Sequence, residues 1–197
     1  MTTWTCKGPI AALLLFALTA CEDGQGAALF EGLSVPPATG RTTKPILQAK
    51  LSEGAVILVA PPGFCIDRKS VRKRFALMAR CDILGAPQAA GDAPLAFITV
   101  SIQPASPDAS LPAVEHLAAA SALSAVSDPQ IRNGQLTFRA KGAAPIDGVS
   151  NTHWRGTTRI GTQIVGVALY GPEKGRAITG EGRSIVSAVL SRSQIGS

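Results

Sequence analysis

Four cysteines and two histidines are the residues of this chain whose chemistry is most readily judged from spacing. The cysteines are Cys6, Cys21, Cys65 and Cys81. None stands in the Cys-x-x-Cys spacing of a redox pair. A zinc site needs three or four ligands held close together, and His116 and His153 are distant in sequence from each other and from the thiols. No metal and no cofactor is therefore expected. A serine nucleophile on a sharp strand-to-helix elbow would show Gly-x-Ser-x-Gly, which does not occur. The run from Gly175 through Gly180 and Gly182 to Ser184 has the glycines of a phosphate loop. It lacks the Gly-Lys-Ser/Thr ending whose lysine neutralises the phosphates, so it reads as a turn feeding a helix. No catalytic residue is assigned. His116, beside Glu115, reads as a surface histidine. His153, beside Trp154, is the position around which an enzyme or small-ligand site is kept as an alternative.

The N-terminus carries a different kind of chemistry. Lys7 supplies one positive charge, and Gly8-Pro9 separates it from an apolar run over Ile10–Leu18. That run is too short to cross a hydrocarbon core of about 30 Å as a helix, but suits a signal-peptide core. It ends Leu18-Thr19-Ala20-Cys21. This stretch resembles the bacterial lipoprotein signal, whose lipobox reads Leu, a small residue, Ala or Gly, then Cys. The resemblance implies diacylglycerol on the Cys21 thiol, cleavage before it, and acylation of the new amino terminus. Two or three acyl chains anchor stably, because each buried methylene contributes about 0.8 kcal/mol and one chain alone is marginal. The expected location is the cell envelope, lipid-anchored, on a periplasmic or other extracytoplasmic face.

That address changes the meaning of the remaining cysteines. Cys6 is discarded with the signal and Cys21 takes lipid. Cys65 and Cys81 remain as an even pair in an oxidising compartment, where an intramolecular disulfide is the default. Closing a loop of that size is worth roughly 3 kcal/mol in the chain-entropy picture.

Charge narrows the partners. The whole chain carries a formal +6; residues from Cys21 onward keep eighteen of the nineteen Lys and Arg and all thirteen acidic residues, a formal +5. This mild excess suits an anionic membrane surface or cell-wall polymer and is far from a nucleic-acid signature. The charge is concentrated in Arg68, Lys69, Arg72, Lys73 and Arg74, with Arg80 nearby. The plain reading is a solvated turn; the sharper one is contact with lipid phosphates or another acidic envelope component.

These residues need elements to hold them. Residues 1–20 are read as signal, 21–53 as the lipidated cysteine and a Gly/Pro-rich extended tether, and 54–197 as one domain. Ala55–Ala60 reads as a strand stopped by Pro61-Pro62, and Gly63–Asp67 as a second short extended piece. Phe75–Ile83 reads as a strand with Phe75, Leu77, Ala79, Cys81 and Ile83 on one face, or as a helix capped at Ser70; the strand is favoured, since a hairpin-like return brings Cys81 beside Cys65. Leu95–Ile102 is the clearest strand, ended by Pro104 and Pro107. Ser110 suits the N-cap of a helix running to about Ala125, with Leu111, Val114, Leu117 and Ala118 facing one way. Asp128-Pro129 and Asn133-Gly134 read as breaks, followed by a strand at Gln135–Ala140. Val149–Ile160 is extended, with Asn151, His153, Arg155 and Thr157 alternating against Thr152, Trp154, Gly156 and Thr158. Gly161-Thr162 turns into a central strand, Gln163–Tyr170. A last helix starts at Thr179 or Glu181, with Ile185, Val186, Val189 and Leu190 on one side.

Strands, helix, strands, helix imply an α+β domain: a mostly antiparallel sheet with two helices packed on it. Over roughly Ala55–Ser193 this order resembles exported lipoproteins with the PsbP-like fold, most closely from Trp154 through Tyr170-Gly171 and in the final helix. The Phe64-Cys65-Ile66-Asp67 and Cys81 pair departs from that general pattern and looks like a smaller lipoprotein subgroup. A fold of this kind hosts unrelated roles. The function expected is a non-enzymatic binding or interaction domain held at the membrane, with an envelope protein or anionic envelope polymer as partner and no nucleic acid. The alternatives are a small-ligand carrier and an enzyme with a site near His153.

Overall fold

The computed structural model describes residues 46–196. The expected signal, the expected lipidation site Cys21 and most of the expected tether lie outside the described residues. Seven strands form one antiparallel sheet in the order β3-β4-β5-β9-β8-β7-β6. They are β3 Phe64–Ile66, β4 Phe75–Arg80, β5 Phe97–Pro104, β6 Ser124–Arg132, β7 Gln135–Lys141, β8 Thr152–Ile160 and β9 Gln163–Tyr170. A smaller sheet, β1-β2-β10, comprises β1 Gln48–Leu51, β2 Val56–Val59 and β10 Gln194–Ile195. The helices are α1, Val114–Ala120, and α2, Gly180–Arg192. The domain is α+β, with two helices packed on antiparallel sheet. Among the described residues no helix is long and apolar enough to cross a membrane.

The apolar composition of β9 places it in the middle. Paired on both sides, with β5 and β8, it buries Val165, Val167 and Leu169 toward α2. Register aligns these with Val100, Ile98 and Ile102 on β5 and with Trp154 and Gly156 on β8. Val186, Val189 and Leu190 of α2 complete this core. The helix sits unusually close because two residues lack a Cβ. One added at Gly156 would lie 2.4 Å from Val186 Cγ1, and one at Gly182 would lie 1.9 Å from the Ala177 carbonyl and 2.4 Å from Trp154 Cδ1. The Thr179 hydroxyl caps α2 by accepting from the Glu181 amide, and the Thr179 carbonyl accepts from Trp154 Nε1 at 2.5 Å.

Several elements differ from the expectation. Ile46 bridges to Ile66, and Gln48–Leu51 pairs with β2, although both fall in the stretch read as tether. Gly/Pro-rich surroundings mask a four-residue strand whose burial depends on its partner. The long helix from Ser110 is also a correction. Pro112 keeps Leu111 extended, Ala113 is still extended, and the helix covers only Val114–Ala120. It stops at Ser121 and Ala122, the latter at φ 50. The following residues form β6, where ladder bonds to β7 override the helical preference of an alanine-rich run. Pro129 is tolerated inside β6 because that strand is the sheet edge, and its pairing with β7 shifts register at Ser127 and Gln130. In β4 the alternation holds, but Ala76 and Met78 fill the main core, while Phe75 and Leu77 lie on the opposite face.

Candidate functional site

Strand alternation gives the large sheet two unlike faces. Toward α2 and the small sheet, β3, β4, β5, β9 and β8 present core residues. The other face carries Phe75 and Leu77 from β4, Thr99 and Ser101 from β5, Gly166 and Ala168 from β9, and Arg155 and Thr157 from β8, in adjacent register. It is covered only in part. At one side Val114 and Leu117 of α1, with Leu123, pack on Leu136, Phe138 and Ala140 of β7. At the other side the Cys65–Cys81 disulfide and Ala90, with Leu84 and Ala86, form a small apolar cluster. Between these ridges the floor is exposed along β5, at Ser101 and Gln103, while Ala168 of β9 and Thr157 of β8 are buried.

A cavity of about 170 Å³ lies in this floor beside α1. Its polar side is Thr99, Ser101, Gln103 and Arg155; its apolar side is Leu117, Leu123, Phe138 and Ile164. Among the described residues that line it, Arg155 is the sole ionisable side chain. The guanidinium is held from behind. Nε donates to His153 Nε2 at 2.9 Å, and Nη2 donates to the Tyr170 hydroxyl at 3.3 Å. Tyr170 stacks on the His153 ring at 4.6 Å and on Phe97 at 5.1 Å.

His153 is fully buried. Because Nε2 accepts from Arg155, the ring proton resides on Nδ1, which donates to the Asn151 carbonyl at 3.1 Å. Burial, and then the neighbouring Arg155 charge, lower its pKa from the ordinary 6.5 to about 4. With both nitrogens engaged and the ring neutral, His153 acts as a wedge that orients Arg155 rather than as a base open to a reactant. His116 is exposed on α1. Among the described residues no three His, Cys, Asp or Glu side chains gather as a metal would require.

Cys65 and Cys81 form the disulfide, with Cα atoms 4.8 Å apart and both residues buried. β3 and β4 pair so that Cys65 faces Ala79, and the Cys81 amide donates to the Gly63 carbonyl just beyond the ladder.

The basic residues are divided by β4. Arg68 and Lys69 lie in a 3-10 turn capped by Asp67, and Arg72, Lys73 and Arg74 form the exposed entry to β4. Arg72 Nη1 donates to the Lys69 and Val71 carbonyls at 2.7 and 3.0 Å, and Lys73 pairs with Glu53 at 2.6 Å. Arg80 sits at the far end of the strand, its fork closed on Asp82. That bond lowers the Asp82 pKa and raises that of Arg80. Five residues of the run thus share one end of the sheet, and Arg80 does not join them. Arg155, the residue that sequence spacing did not single out, is the charged residue that lines the cavity. Its signal was its place in the same alternating stripe as His153.

No family model matches the chain, and no curated protein matches it. Among solved structures, a point mutant of the protein Mog1 is 13% identical, with a TM-score of 0.45 over 76% of this chain and 95% of the other. The Saccharomyces cerevisiae Ran-binding protein Mog1p is 12% identical, with a TM-score of 0.45 over 75% of this chain and 94% of its own. The cyanobacterial PsbP of Synechocystis is 10% identical, with a TM-score of 0.42 over 82% of this chain and 98% of its own. The last belongs to the group whose element order the sequence resembles. Likenesses this remote assign neither partner nor activity to the chain.

Proposed function

We propose that this chain is an exported, lipid-anchored binding module without catalytic activity, and that it meets its partner through the open face of the seven-stranded sheet. The observation that carries the reading is the inequality of the two faces. One is sealed by α2 and the small sheet, while the other leaves Phe75, Ser101 and Gln103 exposed between two ridges. A stable face of mixed polarity, rimmed by structure and with Phe75 38% exposed, suits protein recognition. The buried, neutral His153 supports binding over proton-transfer chemistry.

Two experiments test the halves of this proposal. A photo-cross-linking residue at Ser101 should capture a discrete envelope protein in the host cell. The same residue at Ser184, on the outer side of α2, should not. Equal capture, or none from Ser101, overturns the assignment of the face. For the anchor, Cys21→Ser should abolish membrane partitioning and leave the precursor uncleaved; unchanged partitioning defeats it. The basic turn belongs to the same proposal. Arg68, Lys69, Arg72 and Arg74 are exposed and lack an acidic partner among the described residues. They are suited to anionic headgroups near the anchor, where each basic residue contributes about 1 kcal/mol. Reversing the charge of Arg72, Lys73 and Arg74 should reduce sedimentation with phosphatidylglycerol vesicles. Unchanged sedimentation removes that contact.

A further inference from the structure

The open face contains one group whose arrangement points to a particular ligand chemistry. Arg155 spends Nε and one Nη2 hydrogen on neutral acceptors, His153 and Tyr170. Nη1 and the second Nη2 hydrogen, the pair that makes the end-on fork, have no partner among the described residues. Three other arginines are closed on carboxylates. Arg80 is closed on Asp82, Arg139 pairs with Asp128, and Arg176 is shared by Asp92 and Glu181. Arg155 has no such carboxylate, yet it is less mobile than a surface arginine, because a stacked histidine and tyrosine fix its plane. A guanidinium held in this way has lost its conformational entropy before any ligand arrives, and its planar fork matches a carboxylate.

The cavity that Arg155 lines limits what can enter. It carries one positive charge and no compensating acid, which suits a monoanion better than a phosphate dianion. Half of its wall is apolar, from Leu117, Leu123, Phe138 and Ile164. At about 170 Å³ it is well below the roughly 300 Å³ of a drug-sized pocket. Thr99 and Ser101 offer hydroxyls on the β5 side, with no side-chain hydrogen bond of their own among the described residues. Thr157 is engaged, its hydroxyl donating to the Val165 carbonyl.

We infer that this cavity is a carboxylate subsite: Arg155 grips the carboxylate of a ligand end-on, and the α1 side receives a short apolar body. The inference rests on the open face being the binding face, and it deepens that reading by naming the group recognised. The carboxylate has two natural sources, a free short-chain acid or an acidic side chain presented by a protein partner.

The test uses the purified full-length chain in a non-ionic detergent, isotopically labelled so that arginine Nε–H resonances are resolved by NMR. Sodium butyrate is the free probe, and a blocked Ala-Glu-Ala peptide is the peptide-borne probe. Butyramide, the uncharged isostere, is the control. The Arg155 resonance, identified by its disappearance in Arg155→Met, should move saturably with butyrate, with the peptide, or with both, and not with butyramide. Response to butyrate alone identifies a free acid as the source; response to the peptide alone identifies a protein side chain. Ser101→Trp, which fills the cavity from the exposed side without touching Arg155, should weaken binding at least tenfold. Arg155→Met should do the same, monitored through resonances of the cavity wall. Absence of any shift with either probe, or an equal response to butyramide, overturns the subsite. So does undiminished binding in Ser101→Trp with Arg155→Met folded. Cross-linking from Ser101 that persists in Arg155→Met, with neither probe shifting the Arg155 resonance, would defeat the subsite while leaving the face standing. Carboxylate binding without cross-linking would keep the subsite and discard the protein partner.

Discussion

Two arginine environments on opposite faces of one sheet show how the molecule divides its work. On the sealed face, Arg139 and Arg183 flank Trp154 at 5.9 and 4.7 Å. Arg139 is paired with Asp128 at 3.2 Å, and Arg183 donates to the Asp128 carbonyl at 3.0 Å. Both cover an aromatic ring and have local partners, so they belong to the packing. On the open face, Arg155 is the next residue along the same strand as Trp154. It is braced by neutral groups and lines a cavity. One strand thus supplies structure to one side and, in the proposed function, recognition to the other, with a single residue step between them.

The contrast can be broken at the sealed face first. Trp154→Ala removes a buried ring beneath α2 and should cost about 4 kcal/mol of stability, read by urea denaturation. A loss below about 1 kcal/mol would mean the ring does not support that face. The next effect belongs to the ridge of the open face. Replacing Cys65 and Cys81 together by Ala should lower stability by about 3 kcal/mol, because the crosslink closes a sequence separation of 16 residues. The midpoint of the double variant should then be insensitive to reductant.

Acidification tests the wedge behind Arg155. The unfolded chain takes up a proton on His153 near pH 6.5, whereas the folded one resists until about pH 4. The unfolded state therefore binds more protons between these values, and stability should fall as pH is lowered through that window. His153→Gln, which keeps an acceptor for Arg155 without the titration, should flatten that part of the profile. The smallest expected effect sharpens the comparison most. Arg155→Met should cost only about 1 kcal/mol, chiefly from leaving His153 Nε2 unpaired. It should nevertheless remove carboxylate binding. A cost as large as that of Trp154→Ala would make Arg155 a packing residue like Arg139 and Arg183.

Much of the architecture was legible because local pattern and final environment agree. Gln163–Tyr170 is continuously apolar and becomes the central strand. Ile185, Val186, Val189 and Leu190 share a helical stripe and meet the core. The three places where pattern misled share a cause. Gln48–Leu51 and Gln194–Ile195 are too short to announce themselves and exist as strands because β2 lies between them. Ser124–Arg132 contains Asp128-Pro129, an evident break, but edge position and bulges accommodate it against β7. In each case a partner strand supplies the hydrogen bonds that the residues themselves do not predict: the next strand in the chain for Gln48–Leu51 and Ser124–Arg132, and the far-upstream β2 for Gln194–Ile195.

The division at the site follows the same physics. Sequence alone determined the alternation of β8, which puts His153 and Arg155 on one face and Trp154 on the other, because side chains in a strand repeat every two residues. It also left Cys65 and Cys81 as the even pair. Only the tertiary structure decided which face is sealed. That choice rests on α2 approaching where Gly156 and Gly182 leave room, and on α1 ending at Ala120 while Ser101 and Gln103 of β5 stay exposed. Packing between elements far apart in the chain turned His153 into a buried brace and Arg155 into the group that faces the cavity, and no local spacing encodes that outcome.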